Sequence, residues 1–110
     1  MLSDEQKIDD LAIYVHRKNI ERGRFRSRKI SLSSKFVENL PKIRAQIGGI
    51  WGALDSTGGG ESNIEERKRV MRQFHPRCLF DVIKGGGHWI MYEKPTEFIL
   101  SLENQLGSQN

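Results

Sequence analysis

A small α/β domain with two neighbouring parallel strands is the fold class that this sequence predicts. The predicted elements run helix, short helix, strand, helix, strand, helix, and 26 residues (52–77) separate the two strands. A crossover between parallel strands needs about a dozen residues or more, so a right-handed βαβ unit fits. With 110 residues the chain forms one domain, and complete barrels or doubly wound enzymes, at roughly 200–250 residues, are excluded.

The N-terminal third of the chain predicts two helices. Residues 4–22 form the first, because four apolar residues recur on one helical face and Ser3 with Gln6 resembles a capping box. The apolar face consists of Ile8, Leu11, Ala12 and Val15. A short helix follows at 35–40 and ends at Pro41, which lacks the N–H that a helix needs. The polar and basic segment 24–34 between them predicts a linker or a frayed second turn of helix.

The remaining segments complete the βαβ unit. Apolar and polar residues alternate over 43–51, which predicts a half-buried strand. The nearly continuous apolar run 78–83 predicts a strand covered on both faces. Two helices, at 62–74 and 95–106, flank the second strand. Their predicted buried stripes are Ile64, Met71 and Phe74 in the first helix, and Phe98, Ile99, Leu102 and Leu106 in the second.

Composition and targeting signals predict a cytoplasmic protein. Cys78 is the one cysteine, so no internal disulfide can form, and the chain fits a reducing compartment. The first residues lack the basic start and apolar run of a signal peptide. No apolar run approaches the about 20 residues that span a bilayer, so we expect no membrane partner.

The positive charge of the chain is local. Residues 17–29 hold seven cations and one anion, so this segment carries +6 while the whole chain carries +4. One hypothesis is a binding module that contacts nucleic acid or an anionic surface through residues 17–29. We favour a solvated helix face, because Phe25 is the only aromatic residue in the segment and no recognition motif accompanies it. We therefore do not expect a nucleic-acid partner.

A carboxylate and a histidine follow the two predicted strands. Asp55 comes after the first strand, and His88 comes after the second and its glycine-rich turn. Neighbouring strands lie about 4.8 Å apart, so both side chains should emerge at the same edge of the sheet. A carboxylate that accepts Nδ1–H fixes the tautomer of the ring, and Nε2 then acts as a general base. The alternative is a loop aspartate and a surface histidine without chemistry, which spacing alone favours.

The sequences around these two residues resemble a known family. Residues 50–55 (Ile-Trp-Gly-Ala-Leu-Asp), 86–89 (Gly-Gly-His-Trp) and 93–95 (Glu-Lys-Pro) resemble the C-terminal part of the α/β-hydrolase fold. The similarity is to the subgroup of esterases and carbon–carbon bond hydrolases, in which a Gly-x-x-Asp turn supplies the triad acid and Gly-His supplies the base. The resemblance implies that Asp55 is the acid and His88 is the base.

The same resemblance implies an architecture and a substrate class. Residues 1–34 would be the end of a helical cap, and residues 35–110 the C-terminal part of the hydrolase core. The substrate would be a small-molecule ester or a related carbonyl compound. Trp89 is expected to form a wall of the substrate cleft, and Arg22 or Arg26 could bind a substrate carboxylate. No cofactor or metal is implied, and no His/Cys spacing matches a zinc pattern.

One part of the family's machinery is absent from these residues. The family order is Ser, then Asp or Glu, then His, with the serine in a Gly-x-Ser-x-Gly elbow. The segment 60–64 (Gly-Glu-Ser-Asn-Ile) lacks the second glycine, and the oxyanion-hole segment is also missing. Three explanations stay open: a truncated gene, a split enzyme completed by an N-terminal half, and an inactive relic. The chain alone is predicted to have no serine-hydrolase turnover.

Overall fold

The protein is a mixed α/β structure, seen here in a computed structural model that describes residues 2–24, 33–56 and 61–107. These residues form five α-helices and a two-stranded sheet. In chain order the elements are α1 (Asp10–Arg22), α2 (Lys35–Asn39), β1 (Gly48–Gly52), α3 (Glu61–Phe74), β2 (Leu79–Ile83), α4 (Ile90–Glu93) and α5 (Pro95–Gly107). None of the described helices combines the length and the apolar character needed to cross a bilayer.

The two strands pair in parallel, which confirms the predicted arrangement. Gly48 lies opposite Leu79, and the register continues to Gly52 opposite Ile83. The first strand is shorter than predicted. Residues 43–47 alternate in polarity, but they lie outside β1. Since β2 begins only at Leu79, opposite Gly48, the preceding residues have no strand to pair with.

Helix α3 covers one face of the sheet and forms the main core with it. Ile64 and Met71 of the helix pack with Cys78 and Phe80, as their spacing predicts. Trp51 stacks on Phe80, with ring centroids 5.4 Å apart. The prediction that Phe74 is buried is wrong: its side chain is 37% exposed, because it ends the helix where the chain turns towards β2.

Helix α5 lies on the opposite face and contacts the sheet through polar groups. Gln105 is buried, and its Nε2 donates to the Gly49 carbonyl at 3.0 Å and to Asp81 Oδ2 at 3.1 Å. Ser101 Oγ also donates to Asp81. A Cβ at Gly48 would lie 2.2 Å from Gln105 Oε1, so the bare glycine backbone lets the amide approach.

The apolar stripe predicted for this last helix is therefore wrong. Ile99, Leu102 and Leu106 are exposed at 51%, 38% and 55%, and only Phe98 is half-buried. The buried side of α5 follows Phe98 and Gln105 instead, seven residues apart on the same helix face. Apolar periodicity located the helix, but the acceptor groups of the sheet determine which side faces inward.

The first helix also differs from its prediction. It begins at Asp10, after a 3₁₀ turn at Glu5–Lys7, and Asp9 caps it by accepting a hydrogen bond from the Ala12 N–H at 2.9 Å. The predicted capping role of Ser3 is wrong, because Ser3 bonds a distant glutamate instead. Of the predicted apolar stripe only Ala12 is buried. Ile8, Leu11 and Val15 are exposed.

Candidate active site

The turns that follow β1 and β2 are joined by backbone hydrogen bonds. The Ala53 N–H donates to the Ile83 carbonyl at 3.0 Å, and the Leu54 N–H donates to the Gly86 carbonyl at 2.8 Å. A Cβ at Gly52 would lie 2.3 Å from the Gly87 carbonyl oxygen and 2.4 Å from that of Gly86. Only glycine fits this backbone-to-backbone approach, so position 52 sets how closely the two turns meet.

Asp55 and His88 lie in contact at the carboxyl edge of the sheet. His88 Nδ1 is 3.0 Å from Asp55 Oδ2. The Asp55 side chain is 5% exposed, whereas that of His88 is 46% exposed. The Asp55 N–H donates to the Gly52 carbonyl at 3.1 Å, which fixes the turn that carries the carboxylate. The common edge expected from strand order is the one observed.

This geometry defines the chemistry that the pair can perform. An ionised carboxylate only accepts hydrogen bonds, so Nδ1 carries the proton of this contact. Nε2 is then the nitrogen through which the ring can take up a proton from a reacting group. The imidazolium that forms is stabilised by the buried carboxylate of Asp55.

Glu93 is a buried side chain whose contacts the sequence did not predict. It is 1% exposed, although in the sequence it stood out only as part of the Glu-Lys-Pro motif at 93–95. Its Oε1 accepts from the Gly87 N–H at 2.7 Å, and its Oε2 accepts from the Ser3 N–H at 2.7 Å. The only sequence signal was an acidic residue five positions after His88.

The hydrogen bonds to Glu93 hold it in the ionised form. Burial opposes ionisation, but the donors from Ser3, Asp4 and Gly87 outweigh burial and lower the pKa of the Glu93 carboxyl below its ordinary value. The carboxylate charge is therefore retained inside the fold at neutral pH.

A pocket of about 550 Å³ lies between α1 and the turn that carries His88. Its lining is mainly apolar and includes Ile8, Ala12, Ile13 and Trp89. Trp89 directly follows His88 in the chain, and its ring packs edge-on against the His16 ring, with centroids 6.0 Å apart.

A second contact fixes α1 beside this pocket. The Tyr92 hydroxyl donates to Asp9 Oδ1 at 2.5 Å. This contact is the largest cause that lowers the pKa of Asp9, and it raises the pKa of the Tyr92 hydroxyl. The same carboxylate caps α1, so the start of the helix is tied to α4.

Of the two arginines proposed for substrate binding, the structure describes only Arg22. Arg22 is the exposed last residue of α1. Arg17, on the same helix, lines the pocket instead. Arg26 lies outside the described residues, as does the part of the basic segment 17–29 from residue 25 onwards.

Other candidate groups are separate from the Asp55–His88 pair. Ser62 is an exposed residue in the first turn of α3. Cys78 is buried in the core, and burial raises the pKa of its thiol, against a smaller opposing effect of Arg72. Among residues 2–24, 33–56 and 61–107, no three His, Cys, Asp or Glu side chains form a group that could hold a metal ion.

Comparisons with protein-family models, curated proteins and solved structures found no match for this chain. The functional interpretation therefore depends on the motifs and on the geometry of Asp55 and His88.

Proposed function

We propose that this chain supplies the acid and the base of an α/β-hydrolase-type serine hydrolase that acts on an ester or a related carbonyl compound. His88 is the general base and later the general acid, and Asp55 orients it. The nucleophilic serine comes from a polypeptide segment outside these 110 residues, which we call the companion segment.

The contact between Asp55 Oδ2 and His88 Nδ1 at 3.0 Å is the observation that carries this proposal. A buried carboxylate behind a half-exposed imidazole is what a triad requires, because one partner must stay anionic while the other reaches the substrate. Both side chains also follow strand ends at one edge of a parallel sheet, where ligands of such sheets bind.

The chemical steps follow from this arrangement. His88 Nε2 takes the serine proton as the serine oxygen bonds to the carbonyl carbon, and the carbonyl electron pair moves onto its oxygen. When the tetrahedral intermediate collapses, the leaving oxygen takes that proton from the imidazolium and departs. Water repeats the sequence on the acyl-serine, which releases the acid and restores the serine.

The pocket beside Trp89 supports a substrate with an apolar group. Its volume of about 550 Å³ lies in the roughly 300–1,000 Å³ range of small-molecule sites. Six of its nine lining residues are apolar, three of them on α1, and one of the others is Trp89, which directly follows His88 in the chain. We propose that the apolar part of the ester occupies this pocket, with its carbonyl directed towards His88.

The surface of the described residues supports a companion segment. Their sheet has two strands, and a sheet of this size usually needs further strands for independent stability. Large apolar side chains outside the pocket also lie exposed on α1 and α5, including Leu11, Tyr14 and Leu100, at 57%, 57% and 55%. Further protein packed at the sheet edge and on these helices would cover them.

The chain alone provides the first test. We expect no turnover of p-nitrophenyl acetate that a serine-directed phosphonate blocks, because no elbow serine is present in the sequence. Hydrolysis that is lost in His88→Ala and also blocked by the phosphonate would contradict the need for a companion segment.

The second test restores the nucleophile. The coding DNA upstream of Met1, and neighbouring genes, are sequenced for a Gly-x-Ser-x-Gly segment, and the extended or reconstituted protein is assayed on p-nitrophenyl esters. We expect Asp55→Asn to lower kcat by about 10⁴-fold, whereas His75→Gln, a histidine bonded to the Leu40 carbonyl, retains activity. Undiminished turnover in His88→Ala would refute the proposed function.

A further inference from the structure

We propose that Glu93 is a positioning residue that holds the His88 turn in place and couples it to the first residues of the chain. The catalytic role of Glu93 rests on the proposed function, whereas its contacts with the His88 turn do not depend on it. The inference follows from how the two carboxylate oxygens are used.

The two oxygens of Glu93 together contact two segments of the chain. Oε2 accepts from the Ser3 N–H at 2.7 Å and from the Asp4 N–H at 3.1 Å. Oε1 accepts from the Gly87 N–H at 2.7 Å, and the Ser3 hydroxyl lies 2.5 Å from it. Both oxygens therefore contact the N-terminal segment, and Oε1 also contacts the residue directly before His88.

Only a carboxylate of this length can bridge both segments. A glutamine has one oxygen and one NH₂ group, so one of the two sides would bring an N–H towards another N–H. An aspartate is one methylene shorter and could not keep both contacts. Because the residue is 1% exposed, water does not readily replace a lost partner.

The first residues reach both the substrate pocket and the histidine turn. Leu2 lines the pocket beside Trp89, and Ser3 Oγ also lies 3.0 Å from the Gly85 carbonyl oxygen. Gly85 has a φ of +74°, the left-handed conformation that starts the turn towards His88. A ligand that orders Leu2 therefore favours the same conformation of residues 85–88 that Glu93 holds.

Glu93→Gln in the full chain tests the inference, with Glu97→Gln as the matched control. Glu97 is an exposed glutamate in the first turn of α5. We expect the Gly87 amide of Glu93→Gln to exchange with solvent about tenfold faster, which corresponds to about 1.4 kcal/mol. The imidazole signals of His88 should also change, and Glu97→Gln should leave both readouts as in the wild type.

Comparing the nitrogen signals of His88 and His75 separates a positioning effect from a general loss of structure. His75 is bonded to the Leu40 carbonyl at the other end of the sheet, so its nitrogen signals report the fold away from the turn. We expect the signals of His88 to change in Glu93→Gln while those of His75 do not. Equal changes at both histidines, or no change at either, would overturn the proposal.

A milder variant covers the case in which Glu93→Gln does not fold. Ser3→Ala removes one donor to Oε1 and leaves the carboxylate in place. We expect smaller changes confined to Gly87 and His88. If neither residue changes, the result contradicts the coupling.

Failure of this inference differs from failure of the proposed function. If Glu93→Gln alters His88 but the complete protein hydrolyses esters without His88, the coupling stands and the function fails. If ester hydrolysis requires His88 but Glu93→Gln leaves Gly87 and His88 unchanged, the positioning role fails.

Discussion

The carboxyl edge of the sheet and the outer faces of helices α1 and α5 are built in opposite ways. At the edge, short hydrogen bonds join residues distant in sequence, including Leu54 to Gly86 and Ser3 to Glu93. On the helices, apolar side chains such as Leu11 and Leu106 remain more than half exposed. The protein thus completes its polar site but leaves part of its apolar surface uncovered.

This contrast indicates which part of the structure is self-sufficient. The site is positioned by backbone contacts between its two turns and by the contacts of Glu93 with Gly87 and Ser3, all of which lie within the described residues. Burial of the helix faces depends on what packs against them, and the sheet of the described residues has two strands.

The largest expected effect concerns Gly52, where the two turns meet. Gly52→Ala would set a methyl group 2.3 Å from the Gly87 carbonyl oxygen, so backbone must shift. We expect the free energy of unfolding to fall by about 3 kcal/mol, together with loss of the Asp55–His88 contact. Gly107→Ala is the control, because a Cβ there meets no atom within 4 Å. Equal stability of the two variants in urea titrations would contradict the tight approach.

The second-largest effect is expected at Gln105, the buried amide of α5. Gln105→Leu leaves the Gly49 carbonyl and Asp81 without the donor that both share. We expect a loss of about 1–3 kcal/mol, the usual result of removing one partner from buried polar groups. Gln73→Leu changes an exposed side chain of α3 and serves as the comparison. If Gln105→Leu were as stable as the wild type, the polar packing of α5 would not be needed.

A smaller, pH-dependent effect is expected from Glu93. Its folded-state pKa lies below the ordinary value of 4.5, despite burial, because of its hydrogen-bond donors. Between these two values the unfolded chain binds more protons, so this contribution to stability is complete above about pH 4.5 and is lost as pH falls through the folded pKa. Urea titrations at several pH values should find the wild-type advantage over Glu93→Gln shrinking in acid. A difference in the free energy of unfolding that does not change with pH would contradict an ionised Glu93 in the folded protein.

The smallest effect should be found on the exposed faces. Leu106→Gln alters a side chain that is 55% exposed, so the stability of the chain alone should change by less than about 0.5 kcal/mol. With the companion segment present, a clear loss of stability in the same variant would indicate that α5 is covered there. A large loss in the chain alone would mean that Leu106 is already buried.

Sequence patterns predicted the topology and the proximity of Asp55 to His88 better than they predicted the packing. Strand order alone was enough to bring Asp55 and His88 to one edge, because parallel strands end on the same side of a sheet. Apolar periodicity predicted α5 but chose the wrong buried side, since it cannot anticipate that Gln105 bonds the strand backbone. The role of Ser3 was missed for a similar reason: its partner is 90 residues away.

The protonation of the His88 ring tests the central claim most directly. In the isotope-labelled chain, the nitrogen signals should show that His88 prefers to carry a proton on Nδ1, because Asp55 accepts there at 3.0 Å. In Asp55→Asn this preference should weaken. A wild-type His88 that carries its proton on Nε2, or that matches the Asp55→Asn variant, would contradict the orienter–base pair on which the proposed function depends.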